Sequence, residues 1–133
     1  MKITLLYPQW TGGYGVFGHF ARRQSHFPPL NLALLGAIAE QNGHQVEIID
    51  AEVNSIPEDN LVSMVLQSQP DVIGLTCYSP FFHLNTSLAQ KLKDTSCKAK
   101  ILVGGPHITI MREKALVPQF DYLFVGDAED SFV

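Results

Sequence analysis

Gly13-Tyr-Gly15-Val-Phe-Gly18 matches the G-x-G-x-x-G pattern that cradles a pyrophosphate. That chemistry needs the glycines to form a tight turn directly between a strand and a helix, so that the phosphates meet the helix N-terminus. Here Pro8 to Gly12 intervene after the apolar run that ends at Tyr7, and the next helical pattern starts only after Pro29. The acid that would bind a ribose, Asp50, follows the last glycine by 32 residues, where about 20 are expected. The glycines therefore read as freedom in a loop, and dinucleotide binding is excluded.

Three other stretches put small or polar residues directly after an apolar run: Thr76-Cys-Tyr-Ser79, Gly104-Gly-Pro-His107 and Gly126-Asp127. A phosphoacceptor receiver domain would need an acidic pair after the first run and an aspartate after the third. Those positions hold Pro8-Gln9 and Thr76-Cys77. A flavin-phosphate loop would be rich in hydroxyls, but the segment from 8 to 29 has only Thr11 and Ser25 besides Tyr14. Cys77 and Cys97 form neither a Cys-x-x-Cys pair nor a four-ligand zinc set. Cys77 reads as a small buried hydrophobe, and neither cysteine is given a redox role. His44 reads as a helix-end residue, His83 as a cap or rim residue, and Asp50 and Glu52 as solvated acids. No catalytic residue and no metal ligand can be argued from spacing.

The elements that must position these stretches alternate. Strands are expected at Lys2–Tyr7, Gln45–Asp50, Asp71–Tyr78, Lys100–Val103 and Tyr122–Val125. Helices are expected at Leu30–Asn42 (ended by Gly43), after the capping-box spacing Ser55-Ile-Pro-Glu58, at Phe82–Asp94, and around Ile110–Val117. Near-continuous apolar strands such as Val72-Ile-Gly-Leu75 suit a parallel sheet covered on both faces. The expected fold is α/β: a doubly wound, five-stranded parallel sheet in the flavodoxin-like (Rossmann-like) order 2-1-3-4-5. Ligands of such sheets bind beyond the carboxyl ends of the strands. Those ends carry the long loop after strand 1 and the three small or polar stretches, so they read as one site.

Composition narrows the ligand classes. Nine basic against 13 acidic residues leave a formal charge of −4, against a sequence-independent nucleic-acid partner. No apolar run approaches the roughly 20 residues that span a bilayer, and the run Ile3–Tyr7 is too short for a signal-peptide core. With 46% hydrophobic residues, one globular domain in the cytoplasm is the expectation.

In order along the chain, Phe27-Pro-Pro-Leu-Asn-Leu-Ala-Leu-Leu-Gly36, Gly43-His-Gln-Val-Glu-Ile-Ile-Asp50, Ile73-Gly-Leu-Thr76, Ile101-Leu-Val-Gly-Gly-Pro-His107 and Asp121-Tyr-Leu-Phe-Val-Gly-Asp-Ala-Glu129 resemble the cobalamin-binding N-terminal domain of B12-dependent radical SAM enzymes. Members usually carry Gly-Glu-Gly-Glu after strand 5, where this chain has Gly126-Asp-Ala-Glu129. The resemblance implies cobalamin as cofactor, with Thr76 bonding the buried benzimidazole and Gly104-Gly105 lining the slot for the nucleotide tail. It places Trp10, Gly12, Gly13 and Tyr14 of the long loop, Tyr78 and Ser79, Pro106 and His107, and Gly126 around the same cofactor. The lower corrin face is then covered by Trp10, Tyr14 or Phe17, or open to water.

Better-known B12 domains carry Asp-x-His-x-x-Gly after strand 1, and neither His19 nor His26 has those flanking residues. Base-off cobalamin without a histidine ligand is therefore expected. The resemblance also implies a downstream catalytic barrel that binds S-adenosylmethionine and a [4Fe-4S] cluster through Cys-x-x-x-Cys-x-x-Cys. On this reading residues 1–133 are the N-terminal piece of a longer enzyme, for methyl transfer or oxidative ring closure of a macrocycle. The alternative is a degenerate interaction module of the same fold that holds no corrinoid.

Overall fold

The computed structural model describes residues 1–18, 28–129 and 131–132. It contains β1 (Lys2–Tyr7), a kinked 3-10 segment (Thr11–Phe17), α1 (Leu30–Gln41), β2 (Gln45–Asp50), α2 (Glu58–Ser68) and β3 (Val72–Thr76). A 3-10 turn (Ser79–Phe81) leads into α3 (Phe82–Lys93), followed by β4 (Lys100–Gly104), α4 (Pro106–Met111), a 3-10 turn (Arg112–Ala115) and β5 (Tyr122–Leu123).

The five strands pair in parallel in the order β2-β1-β3-β4-β5, as expected. Strand alternation sends successive side chains to opposite faces. Ile73, Leu75, Ile101 and Val103 enter a core with Leu61 and Val65 of α2, Leu88 and Leu92 of α3, and Ile108 of α4. On the other face Ile3 and Leu5 pack against Leu32 and Ala39 of α1. Gly36 lets α1 lie close, since a Cβ there would stand 3.2 Å from Ile48 Cδ1.

Several boundaries differ from the sequence reading. The capping box does not form: α2 begins at Glu58 with Pro57 at its N-cap and no side-chain cap. Proline biases the residue before it, Ile56, toward extended backbone, which delays the helix past Ser55. The Glu58 carboxylate instead meets Lys91 Nζ at 2.9 Å and accepts from Ser87 Oγ at 3.0 Å. The third strand ends at Thr76 rather than Tyr78. The fourth helix starts at Pro106, not Ile110, because Gly105 turns the chain at φ 105° and proline suits the first helical position. Strand 5 pairs only over Tyr122 and Leu123, although the Phe124 N–H still donates to Val103 O at 2.9 Å.

Candidate functional site

On the α1 face, a cleft of about 700 Å³ opens over the carboxyl halves of β1, β3 and β4. The floor is made by Leu5, Gly74, Thr76, Leu102 and Gly104, the positions that alternate toward this face. Leu32 and Leu35 of α1 form one wall, and Phe124, Gly126 and Phe132 form the other. The Phe124 and Phe132 rings meet edge-on with centroids 5.9 Å apart. Asp127 and Glu129 border the cleft and give an otherwise apolar space two carboxylates.

Thr76 is 4% exposed and supplies a hydroxyl from the floor. Asn31 Nδ2, in the first turn of α1, donates to Thr76 Oγ1 at 2.9 Å. Behind Thr76, Asn85 Nδ2 donates to its carbonyl at 3.3 Å. Burial, reinforced by Tyr78 and then Asp50 and Glu52, pushes the Tyr7 phenol above its usual value, so it stays neutral at physiological pH.

The two glycines after β4 differ in what they do. A Cβ on Gly104 would touch Phe124 Cβ at 3.4 Å, an ordinary contact. A Cβ on Gly105 would fall 2.8 Å from Cys77 O and 2.9 Å from Cys77 N. Gly105 thus lets the β4 turn lie on the end of β3, where Cys77 N–H donates to Gly104 O and His107 N–H to Cys77 O. Only Gly104 leaves space in the cleft itself.

The loop after β1 is fastened by a residue that sequence reasoning passed over. Asp50 Oδ1 accepts from the N–H groups of Glu52 and Val53 and folds the chain into a turn. Glu52, 2% exposed, accepts from Trp10 N–H at 2.8 Å, from Thr11 N–H at 3.0 Å and from the Thr11 hydroxyl. Glu52 is an internal anchor and not the solvated acid expected. A glutamate 41 residues from its partner leaves no periodic mark.

That anchor fixes an aromatic shelf beside the cleft. The Trp10 ring lies 5.1 Å from Phe81 and 6.2 Å from Tyr14 between centroids. Tyr7, Thr76 and Tyr78 border both the cleft and the small depression next to Trp10. Of the residues expected at the site, the cleft collects Thr76, Tyr78, Gly104, Gly105, Pro106 and Gly126. Trp10 and Tyr14 stand on the shelf, with Gly12 and Gly13 in the segment between them. Ser79 and His107 pair at the rim, Nδ1 to Oγ 2.9 Å, with the imidazole against Phe82. His19 and His26 lie outside the described residues. Cys77 is buried and its thiol is pushed up by that burial, which fits an inert reading.

Among the described residues no helix is long and apolar enough to cross a membrane. In sequence, the chain is 24% identical over its whole length to the anaerobic magnesium-protoporphyrin IX monomethyl ester cyclase of Cereibacter sphaeroides, covering 21% of that protein. It is 26% identical over 107 residues to an uncharacterized methyltransferase of Pyrococcus horikoshii, 79% of this chain and 23% of the relative. The chain thus spans about a fifth to a quarter of the length of these curated relatives.

In structure it resembles the cobalamin-dependent S-adenosylmethionine radical enzyme OxsB, solved with aqua-cobalamin, at TM-score 0.75 and 18% identity. That likeness covers 96% of this chain and 17% of the other. The radical S-adenosylmethionine methyltransferase TsrM from Kitasatospora setae, solved with cobalamin and a [4Fe-4S] cluster, follows at TM-score 0.64 and 17% identity, over 86% of this chain and 20% of that one. These two likenesses establish the fold. The family model described as B12 binding domain matches residues 19–133, and this chain belongs to that family.

Proposed function

We propose that the cleft holds the nucleotide tail of cobalamin and that the domain presents the corrinoid to a radical SAM domain further along the same protein. One observation carries this: an apolar cleft of about 700 Å³ whose floor has a buried hydroxyl, Thr76, beside a position without a side chain, Gly104. A flat aromatic base on a flexible phosphoribosyl tail needs such a slot. The Thr76 hydroxyl donates to the base's imine nitrogen, Leu5, Leu35 and Leu102 cover its faces, and Gly104 leaves the space beside it. Asp127, Glu129 and backbone carbonyls near Gly126 accept from the corrin's amide side chains. The shelf of Trp10, Tyr14 and Tyr78, with Ser79, Pro106 and His107 at the rim, shields the lower corrin face. When bound, cobalamin supplies a redox-active cobalt that can carry a methyl group.

A base held by Thr76 in the cleft is kept from the cobalt, which is the base-off form. Holding a histidine under the cobalt would require an oriented imidazole with a partner on its second nitrogen, and the loop after β1 lacks that motif. The covered share of the relatives and their titles support residues 1–133 as the N-terminal domain of a longer protein. There a downstream domain supplies S-adenosylmethionine and the [4Fe-4S] cluster. The reaction class is methyl transfer or oxidative ring closure of a macrocycle.

The test is incubation with hydroxocobalamin, desalting and a visible spectrum. One equivalent should be retained by the wild type. Gly104→Leu should keep the fold and weaken retention by about tenfold to a hundredfold, the effect of overfilling a packed site. A folded wild type that retains no corrinoid leaves the degenerate interaction module as the reading. Electron paramagnetic resonance on the cob(II)alamin form should show cobalt lines unsplit by an axial nitrogen. Triplet splitting lost in His19→Ala or His26→Ala would reveal a histidine ligand, and splitting that survives both would reveal base-on cobalamin.

A further inference from the structure

We propose that Asn31 fixes the direction of the Thr76 hydroxyl proton and so makes the cleft select cobamides whose tail base offers an acceptor nitrogen. The inference rests on the cobalamin reading and adds a positioning residue to it. A threonine hydroxyl has one proton to give and two lone pairs to receive with. One lone pair of Thr76 Oγ1 is taken by Asn31 Nδ2 at 2.9 Å. Asn85, the other polar side chain against Thr76, uses its amide on the Thr76 carbonyl and leaves the hydroxyl alone. Toward Gly105 the hydroxyl meets a glycine carbon, since a Cβ there would stand 3.1 Å from Oγ1.

Thr76 ends a strand, so the backbone carbonyl one helical turn earlier, the usual acceptor for a helical threonine, is out of reach. Among the described residues no hydrogen bond takes the Thr76 proton. Thr76 is 4% exposed and lines the cleft, so the proton left over is offered to whatever lies in the cleft. A buried donor without an acceptor is unfavourable, and a base with an imine nitrogen supplies that acceptor. A base joined through oxygen and lacking a ring nitrogen does not.

Asp at position 31 reverses this polarity. A carboxylate only accepts, so Thr76 must donate to it and the cleft loses its donor. The substitution is nearly isosteric at an exposed position in the first turn of α1, where a negative charge suits the helix dipole. The fold is therefore expected to survive it. The added charge weakens every cobamide that carries a tail phosphate, so the informative quantity is a ratio. Affinities for cobalamin and for a phenolyl cobamide, with the same upper ligand, are measured on the wild type and on Asn31→Asp.

The wild type should prefer cobalamin by about three- to tenfold, the span expected for one hydrogen bond. In Asn31→Asp the ratio should fall to about one while both affinities drop together. A merely structural tie between α1 and β3 would lower both affinities and leave the ratio alone. Thr76→Val should abolish the preference by itself, and adding Asn31→Asp to it should leave the ratio at about one. A wild type that retains both cobamides equally, or an Asn31→Asp variant that keeps the wild-type ratio, overturns this inference alone. A wild type that retains neither overturns the binding reading and this one with it.

Discussion

The two edges of the sheet are built from different materials. At the amino ends, aspartates staple neighbouring strands together. Asp71 accepts from Lys2 N–H at 2.7 Å while its own N–H donates to Lys2 O. Asp121 repeats the pattern two strands away, accepting from Ile101 N–H at 2.9 Å and donating to Ile101 O. Lys93 and Lys100 then sit 2.7 and 3.6 Å from the Asp121 carboxylate. At the carboxyl ends no such staples recur among the described residues. Glycines, a half-committed hydroxyl and an aromatic shelf stand there instead. One edge closes its own hydrogen bonds, and the other leaves donors and space for something else. This agrees with the rule that parallel sheets bind ligands beyond their carboxyl ends.

Glycine gives the sharpest way to probe the contrast. Gly43, near the amino ends, and Gly105, near the carboxyl ends, both have positive φ, at 82° and 105°. Around Gly43 a Cβ would meet nothing within 4 Å, whereas at Gly105 it would strike the Cys77 backbone. Gly105 also has ψ 179°, a region almost closed to other residues. Gly43→Ala should cost about 1 kcal/mol, for backbone strain alone. Gly105→Ala should cost about 3 kcal/mol or more, since strain and overlap combine. Thermal denaturation of the two variants checks this, and equal losses would mean that the β4 turn does not press on β3. The slot can then be tested separately at Gly104, where an added side chain has room to grow into the cleft.

The next effect is smaller and local. Glu52→Gln replaces an acceptor oxygen with a donor in front of the Trp10 and Thr11 N–H groups and the Thr11 hydroxyl. The loss should be about 1–3 kcal/mol, felt first by the loop. Amide hydrogen exchange at Trp10 and Thr11 should speed up severalfold while exchange in β1 and β3 stays unchanged. Uniform acceleration across the sheet would make Glu52 part of the global core and not an anchor of the site loop.

These edges were unequally legible in the sequence. β1 and β2 match expectation residue for residue, because each is an apolar run of strand length with a clear stop. Four polar strand ends on one rim likewise follow from the strand order. What escaped is what depends on contacts across elements. Asn31 and Thr76 are 45 residues apart and Glu52 and Thr11 41, and no spacing rule links a helix side chain to a strand hydroxyl. The Ser55 capping box matched its pattern and failed, because proline two residues later set the backbone first. Gly105 was correctly singled out, but its reason differs: its own chain fills the place next to it, and Gly104 faces the cleft.

The smallest expected effect lies at the amino edge and has a pH signature. Burial works to raise the Asp121 carboxyl, but the Ile101 N–H and Lys93, aided by Lys100, hold it below its ordinary value of 3.8. A carboxyl depressed in the folded state stabilises the fold above its unfolded pKa, and that contribution is lost as pH falls through the folded value. Asp121→Asn keeps an oxygen for Ile101 N–H but gives up both lysines. At neutral pH it should cost about 0.5–1 kcal/mol, because the pairs are partly screened by solvent. The difference in Tm from wild type should be constant above about pH 5 and shrink as pH drops below the ordinary carboxylate range. It should also shrink in 1 M salt, where the Debye length is about 3 Å. A difference that persists unchanged at low pH would show that Asp121 acts through packing and not through charge. The amino edge would then be held together by shape, as the cleft floor is.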